Sequence, residues 1–102
     1  MTKRILVVED QEDLRGVLRD LFTRSGYIVI EATDGATGVA SAKSDRPDII
    51  LMDIQMPVID GYEATRRIKA DPTLAQIPVV AVSSFAMKGT KRRRGPPAAT
   101  IT

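Results

Sequence analysis

Ile5-Leu6-Val7-Val8-Glu9-Asp10 is a continuous run of apolar residues that ends in two acids. Such a run, without polar alternation, suits a strand buried on both faces, as in a parallel sheet. The same form returns further along. Asp48-Ile49-Ile50-Leu51-Met52 leads into Asp53, and Val79-Val80-Ala81-Val82 leads into Ser83-Ser84. Tyr27-Ile28-Val29-Ile30 makes one more strand. Helical patterns fill the gaps. Leu14, Val17, Leu18, Leu21 and Phe22 recur at helical spacing, and Gly26 stops that helix. Asp34-Gly35 opens a weaker helix with Ala36, Val39 and Ala40 inward, and Pro47 ends the connection. Met56-Pro57 forces a loop. Asp60-Gly61-Tyr62-Glu63 has the form of a capping box and opens a helix to about Ala70, where Asp71-Pro72 breaks it.

The order is therefore βαβαβαβ, which implies an α/β fold: a doubly wound parallel sheet with right-handed crossovers. Ligands of open sheets of this kind sit beyond the carboxyl ends of the strands, at a topological switch point. Glu9-Asp10, Asp53 and Ser83 all stand at such ends. They are far apart in the chain and are expected to converge on one edge.

Composition narrows the chemistry. The 102 residues fit one domain. No apolar run is long enough to span a membrane, and the stretch after Met1-Thr2-Lys3-Arg4 is too short for a signal peptide. The chain has neither cysteine nor histidine, which excludes disulfides, the usual zinc sites and every histidine-dependent triad. A cytoplasmic location is the expectation. The net charge of +2 hides an asymmetry. All 13 acids lie at or before Asp71, whereas Lys88, Lys91, Arg92, Arg93 and Arg94 crowd the end of the chain. A basic tail can bind nucleic acid by counterion release. This one has no reader element and no aromatic residue for stacking, so nucleic-acid binding is not expected.

Three carboxylates on one edge repel each other unless a cation sits among them. Magnesium takes one or two carboxylates, keeps waters and completes its shell with phosphate oxygens. Glu9, Asp10 and Asp53 fit that ligand set. A carboxylate is also a nucleophile able to form an aspartyl-phosphate, and the Ser83 hydroxyl could hydrogen-bond a phosphoryl oxygen. Spacing alone leaves a plainer reading open: acids at strand ends are often solvated turn formers, and a lone serine there is often a turn residue.

The motifs resemble those of response-regulator receiver domains, the CheY-like family. Ile5 to Asp10 resembles their first strand and acidic pair. Leu51-Met52-Asp53-Ile54-Gln55-Met56-Pro57-Val58-Ile59-Asp60-Gly61 is similar to their phosphoacceptor segment, and Pro78 to Ser84 to their fourth strand and switch hydroxyl. The stretch from Ala75 through Gly89 looks most like DivK-type single-domain receivers. The resemblance implies a flavodoxin/CheY-like sheet, with Asp53 as phosphoacceptor and Ser83 as the switch hydroxyl. It implies a magnesium ion held by Glu9, Asp10, Asp53 and the backbone carbonyl of Gln55. It also implies a histidine kinase or phosphotransfer protein as donor, a downstream reader protein, and no turnover of an external substrate. Pro57 and Gly61 would shape the loop after the acceptor. A magnesium-dependent phosphatase of the haloacid-dehalogenase type also uses a strand-end Asp, but it wants an acid two residues later, where this chain has Gln55.

The resemblance covers residues 1–88 and ends there. Receivers continue with a fourth helix, a fifth strand ending in Lys-Pro and a fifth helix, and residues 89–102 match none of these. Lys88 and Lys91 precede the place of that strand, so the family's lysine role does not pass to them, and Phe85 is not its aromatic switch residue. Gly95-Pro96-Pro97-Ala98-Ala99 reads as irregular. With one choice of codons for a typical family continuation, Gly-Asp-Glu-Glu-Lys-Ala-Arg-Ala-Ala-Gly-Cys-Asp, deleting a single base yields Gly89 to Thr100 residue for residue. Three readings of the tail stand, a nucleic-acid-binding segment, a disordered end and a shifted reading frame, and the shifted frame is the favoured expectation. Without a fifth strand, the Val79–Val82 strand is expected to be an exposed edge that invites a non-native dimer. Without the last helices, apolar sheet surface is expected to stay uncovered.

Overall fold

The structure is a computed structural model and describes residues 2–53 and 61–82, together with the backbone of 99–101. The chain runs β1 (Arg4–Val8), α1 (Glu12–Arg24), β2 (Ile28–Ala32), α2 (Gly35–Asp45), β3 (Ile49–Asp53), α3 (Gly61–Ala70), β4 (Val79–Val82) and β5 (Ala99–Ile101). The sheet order is β2-β1-β3-β4-β5. The first four strands are parallel, with Val8 beside Met52 and Asp53 beside Val82. The expected α/β parallel sheet is therefore present. Because the chain winds one way from β1 to β2 and the other way to β3, the switch point lies between β1 and β3.

One face of the sheet is fully packed. Leu6, Val8, Ile50, Met52 and Val79 meet Val39 and Ala42 of α2, Ala64 and Ile68 of α3, and Leu74 of the following turn. Burying a side chain of the Leu or Ile class is worth roughly 1.5–3 kcal/mol, so this layer carries most of the fold's stability. Of the residues of α2 expected inward, Val39 is buried, but Ala36 and Ala40 are exposed, and Gly35, Gly38 and Ala42 are buried in their place. Gly38 explains the difference. A Cβ there would lie 2.9 Å from Val8 Cγ2, so the missing side chain lets α2 approach β1 closely.

The ends of the helices follow local chemistry. Gly26 (φ 95°) ends α1, with Gly26 N–H donating to Thr23 O and Tyr27 N–H to Phe22 O, a Schellman motif. The Phe22 and Tyr27 rings meet edge to face at 5.6 Å and supply the apolar contact that accompanies it. The Asp34 carboxylate caps α2 by accepting from Thr37 N–H at 2.7 Å. Beyond α3, Lys69 Nζ donates to the carbonyls of Ala75 and Ile77, which ties the turn that feeds β4.

The end of the chain departs from expectation. Residues 99–101 form a strand antiparallel to β4, with Val80 opposite Ile101 and Val82 opposite Ala99. The exposed β4 edge is thus a correction, and the non-native dimer through it loses its basis. An unpaired edge of backbone donors and acceptors captures an extended segment, and here that segment lies within the chain. Among the described residues no helix follows α3.

Candidate functional site

The strand register builds the site. Glu9 and Asp53 each stand one residue past the Val8–Met52 pair, on neighbouring strands at the switch point. Side chains alternate along a strand, so both carboxylates face the α1 side with Val7 and Leu51. Glu9 is 2% exposed and Asp53 3%, while Asp10 is partly exposed. Carboxylate oxygens of Glu9, Asp10 and Asp53 all lie within 4.8 Å of one another. At that separation two like charges repel by roughly 3 kcal/mol at an effective dielectric of about 20. A hard divalent cation with oxygen ligands would offset that repulsion. The residues present fit a magnesium ion: two buried acids and one at the mouth, leaving room for water and phosphate oxygens.

Neighbouring groups fix the acidic turn. Glu9 N–H donates to Ala32 O at 3.0 Å, and Glu9 Oε2 accepts from Gln11 N–H at 2.9 Å. Arg15, in the first half of α1, donates through Nη1 to Glu9 O at 3.0 Å and through Nε to Glu31 Oε1 at 3.0 Å. Sequence reasoning missed Arg15, because only the fold brings its helix across β1 toward β2. Its one sequence signal, a cation early in the helix that follows the acids, is too common to decide anything.

A cleft of about 170 Å³ runs beside the acids, lined by Leu14, Leu18 and Phe22 of α1, Leu51 and Val82 of the sheet, and Glu9 and Asp53 themselves. Of the expected site residues, Glu9, Asp10 and Asp53 come together as foreseen. Ser83 and Gln55 lie outside the described residues, as do Pro57 and Asp60. Gly61 is buried as the first residue of α3.

Comparisons with known proteins agree with this geometry. The chain is 45% identical over 93 residues to the polar-differentiation response regulator DivK of Brucella ovis, covering 91% of this chain and 76% of that one. Among solved structures, it is similar to the receiver domain of a sensor histidine kinase from Pseudomonas aeruginosa, solved with a magnesium ion coordinated in its active-site cleft. That match has 38% identity and a TM-score of 0.79, and covers 87% of this chain and 73% of that one. It is also similar to the N-terminal domain of a response regulator receiver protein from Methanoculleus marisnigri, with 37% identity and a TM-score of 0.75 over 78% of this chain. The match spans 64% of that structure's length. Residues 5–94 match the model of the response regulator receiver domain, and the chain belongs to that family.

Proposed function

We propose that this receiver accepts a phosphoryl group on Asp53 from a phosphohistidine of a histidine kinase or phosphotransfer protein, and that the modified surface is read by a downstream protein in the cytoplasm. The observation that carries the reading is the meeting of the Glu9, Asp10 and Asp53 carboxylates within 4.8 Å at the switch point. Glu9, Asp10 and Asp53 would hold a magnesium ion, with the Gln55 carbonyl as a further ligand. When bound, the ion neutralises phosphoryl oxygens and orients them for in-line transfer.

Asp53 acts as the nucleophile. One of its carboxylate oxygens bonds to phosphorus while the phosphorus–nitrogen bond of the donor breaks, and the electron pair returns to the imidazole nitrogen. Burial strips water from Asp53, so its oxygens meet phosphorus with little solvent to displace. Ser83 is proposed as the hydroxyl that bonds the new phosphoryl group. The pairing of the preceding residue, Val82, with Asp53 in the sheet supports that reading. No helix of the described residues is long and apolar enough to cross a membrane. The receiver modifies itself and turns over no separate substrate.

Incubation with acetyl phosphate and magnesium, followed by intact mass measurement, tests the proposal. The expected result is one phosphoryl adduct on the wild-type chain that needs magnesium and disappears in Asp53→Asn. A wild-type chain that stays unmodified, or an adduct that persists in Asp53→Asn, would sink it.

A further inference from the structure

We infer that Arg15 is a positioning residue for the acidic pair: bridging Glu31 and the Glu9 carbonyl, it sets the peptide between Glu9 and Asp10 for metal binding. The inference rests on the proposed magnesium site and concerns how the chain holds that site in shape.

The Glu9 main chain is gripped from two directions. Its N–H donates to Ala32 O at 3.0 Å, and its carbonyl accepts from Arg15 Nη1 at 3.0 Å. The carbonyl of Glu9 and the amide of Asp10 belong to one rigid peptide plane. Fixing the carbonyl therefore fixes the direction in which the chain leaves toward Asp10, and with it the Asp10 Cα. Without that grip the plane could rotate, and Asp10 would leave its place beside Asp53.

Arg15 is held in turn. Its Nε donates to Glu31 Oε1 at 3.0 Å, and Arg19 Nη1 lies 3.5 Å from Glu31 Oε2, so both oxygens of Glu31 are engaged by α1. Glu31 stands beside Val7 in the sheet, on the same face as Glu9. The Arg15 side chain is only 16% exposed. A planar guanidinium can serve a carboxylate and a carbonyl at once with preset geometry, and a lysine ammonium cannot hold both in that arrangement. The resulting chain of contacts runs from β2 through α1 to the end of β1.

Charge and positioning predict opposite signs, which makes the inference testable. Arg15 is a cation bonded to the main-chain carbonyl of Glu9, one of the three acids. If it acted only through its charge, removing it would make the acids bind magnesium more tightly. If it acts by orienting the peptide, removing it loosens binding. Groups that orient metal ligands from behind are worth about tenfold or more in affinity.

The experiment titrates magnesium into the wild-type chain and into Arg15→Met, Arg15→Lys and Glu31→Gln by calorimetry, at a temperature where thermal melts show each to be folded. The Asp10 amide resonance is followed by NMR without metal. The expected result is a magnesium dissociation constant raised roughly tenfold in Arg15→Met and less in the other two, with the Asp10 amide shifted in all three variants. Magnesium binding that is unchanged or tighter in Arg15→Met overturns the inference and leaves the site intact. Should Arg15→Met not fold, Arg15→Lys decides, because it keeps the charge and loses the geometry: weaker binding there upholds the inference, and unchanged binding overturns it. A wild-type chain that binds no magnesium overturns the site reading and this inference together.

Discussion

The two faces of the sheet are built to different standards. On the α2–α3 side, Leu6, Val8, Ile50, Met52, Ala64, Ile68, Leu74 and Val79 are sealed from solvent almost completely. On the α1 side, Ile5 and Val7 are buried, yet no residue of α1 itself is fully buried. Val17 is 62% exposed and Leu21 54%, and Leu51, Val80 and Val82 are only half covered. Arg15 and Arg19 reach Glu31 on one flank of α1. Helical spacing puts Val17 and Leu21 on the opposite flank. The acids belong to this looser face. The structure therefore separates two tasks: one side holds the fold together, and the other presents the chemistry.

Substitutions on the two faces are expected to differ in the size of their effect. The largest effect should come from Ile68→Ala or Leu74→Ala on the sealed face. Each is expected to lose about 2–5 kcal/mol in urea denaturation, enough to leave a domain of this size marginal. Leu21→Ala on the open face is expected to stay within about 0.5 kcal/mol of the wild type, since exposed positions contribute little. Equal losses on both sides would erase the contrast.

A smaller effect is expected at Gly38. Overpacking a core costs roughly 1–3 kcal/mol, and Gly→Ala inside a helix returns about 1 kcal/mol. With Val8 Cγ2 2.9 Å from the new methyl and Val8 held by packing, the clash should win, giving a net loss of about 1 kcal/mol. A stabilised Gly38→Ala variant would show that α2 can move off β1, and that the sealed face is softer than it looks.

The smallest effect belongs to the Asp34 cap. The Thr37 N–H holds the Asp34 carboxyl below its ordinary value of 3.8. A depressed folded-state value means the stabilisation is complete above the unfolded value and fades as pH falls through the folded one. Asp34→Ala is expected to cost about 1 kcal/mol near neutral pH. Asp34→Asn should keep the cap and remove its part of the acid dependence. Thermal melts between neutral pH and pH 3 distinguish the two, and identical pH profiles for the wild type and Asp34→Asn would deny the cap its role.

Much of this was legible in the residues. Unbroken apolar runs marked the four parallel strands, and the acids at two of their ends marked the site, because strands and their ends depend on local pattern. The features that escaped notice depend on contacts between elements. Gly35 and Gly38 carry no hydropathy signal, so the buried stripe of α2 was misplaced onto Ala36 and Ala40. Val17 and Leu21 have helical spacing fit for a core, but what would cover them is not written in their own segment. Residues 99–101 form a strand because β4 offers an edge, and three residues after a Gly-Pro-Pro run show no period of their own. Arg15 acts across two strands, and no spacing along one helix reports that.

The metal site proposed on the open face is made by Glu9, Asp10 and Asp53. Calorimetric titration of magnesium into the wild-type chain and Asp53→Asn tests it most directly. The account predicts saturable binding of one ion by the wild type and binding lost or greatly weakened in the variant. Equal affinity in the two proteins would contradict it.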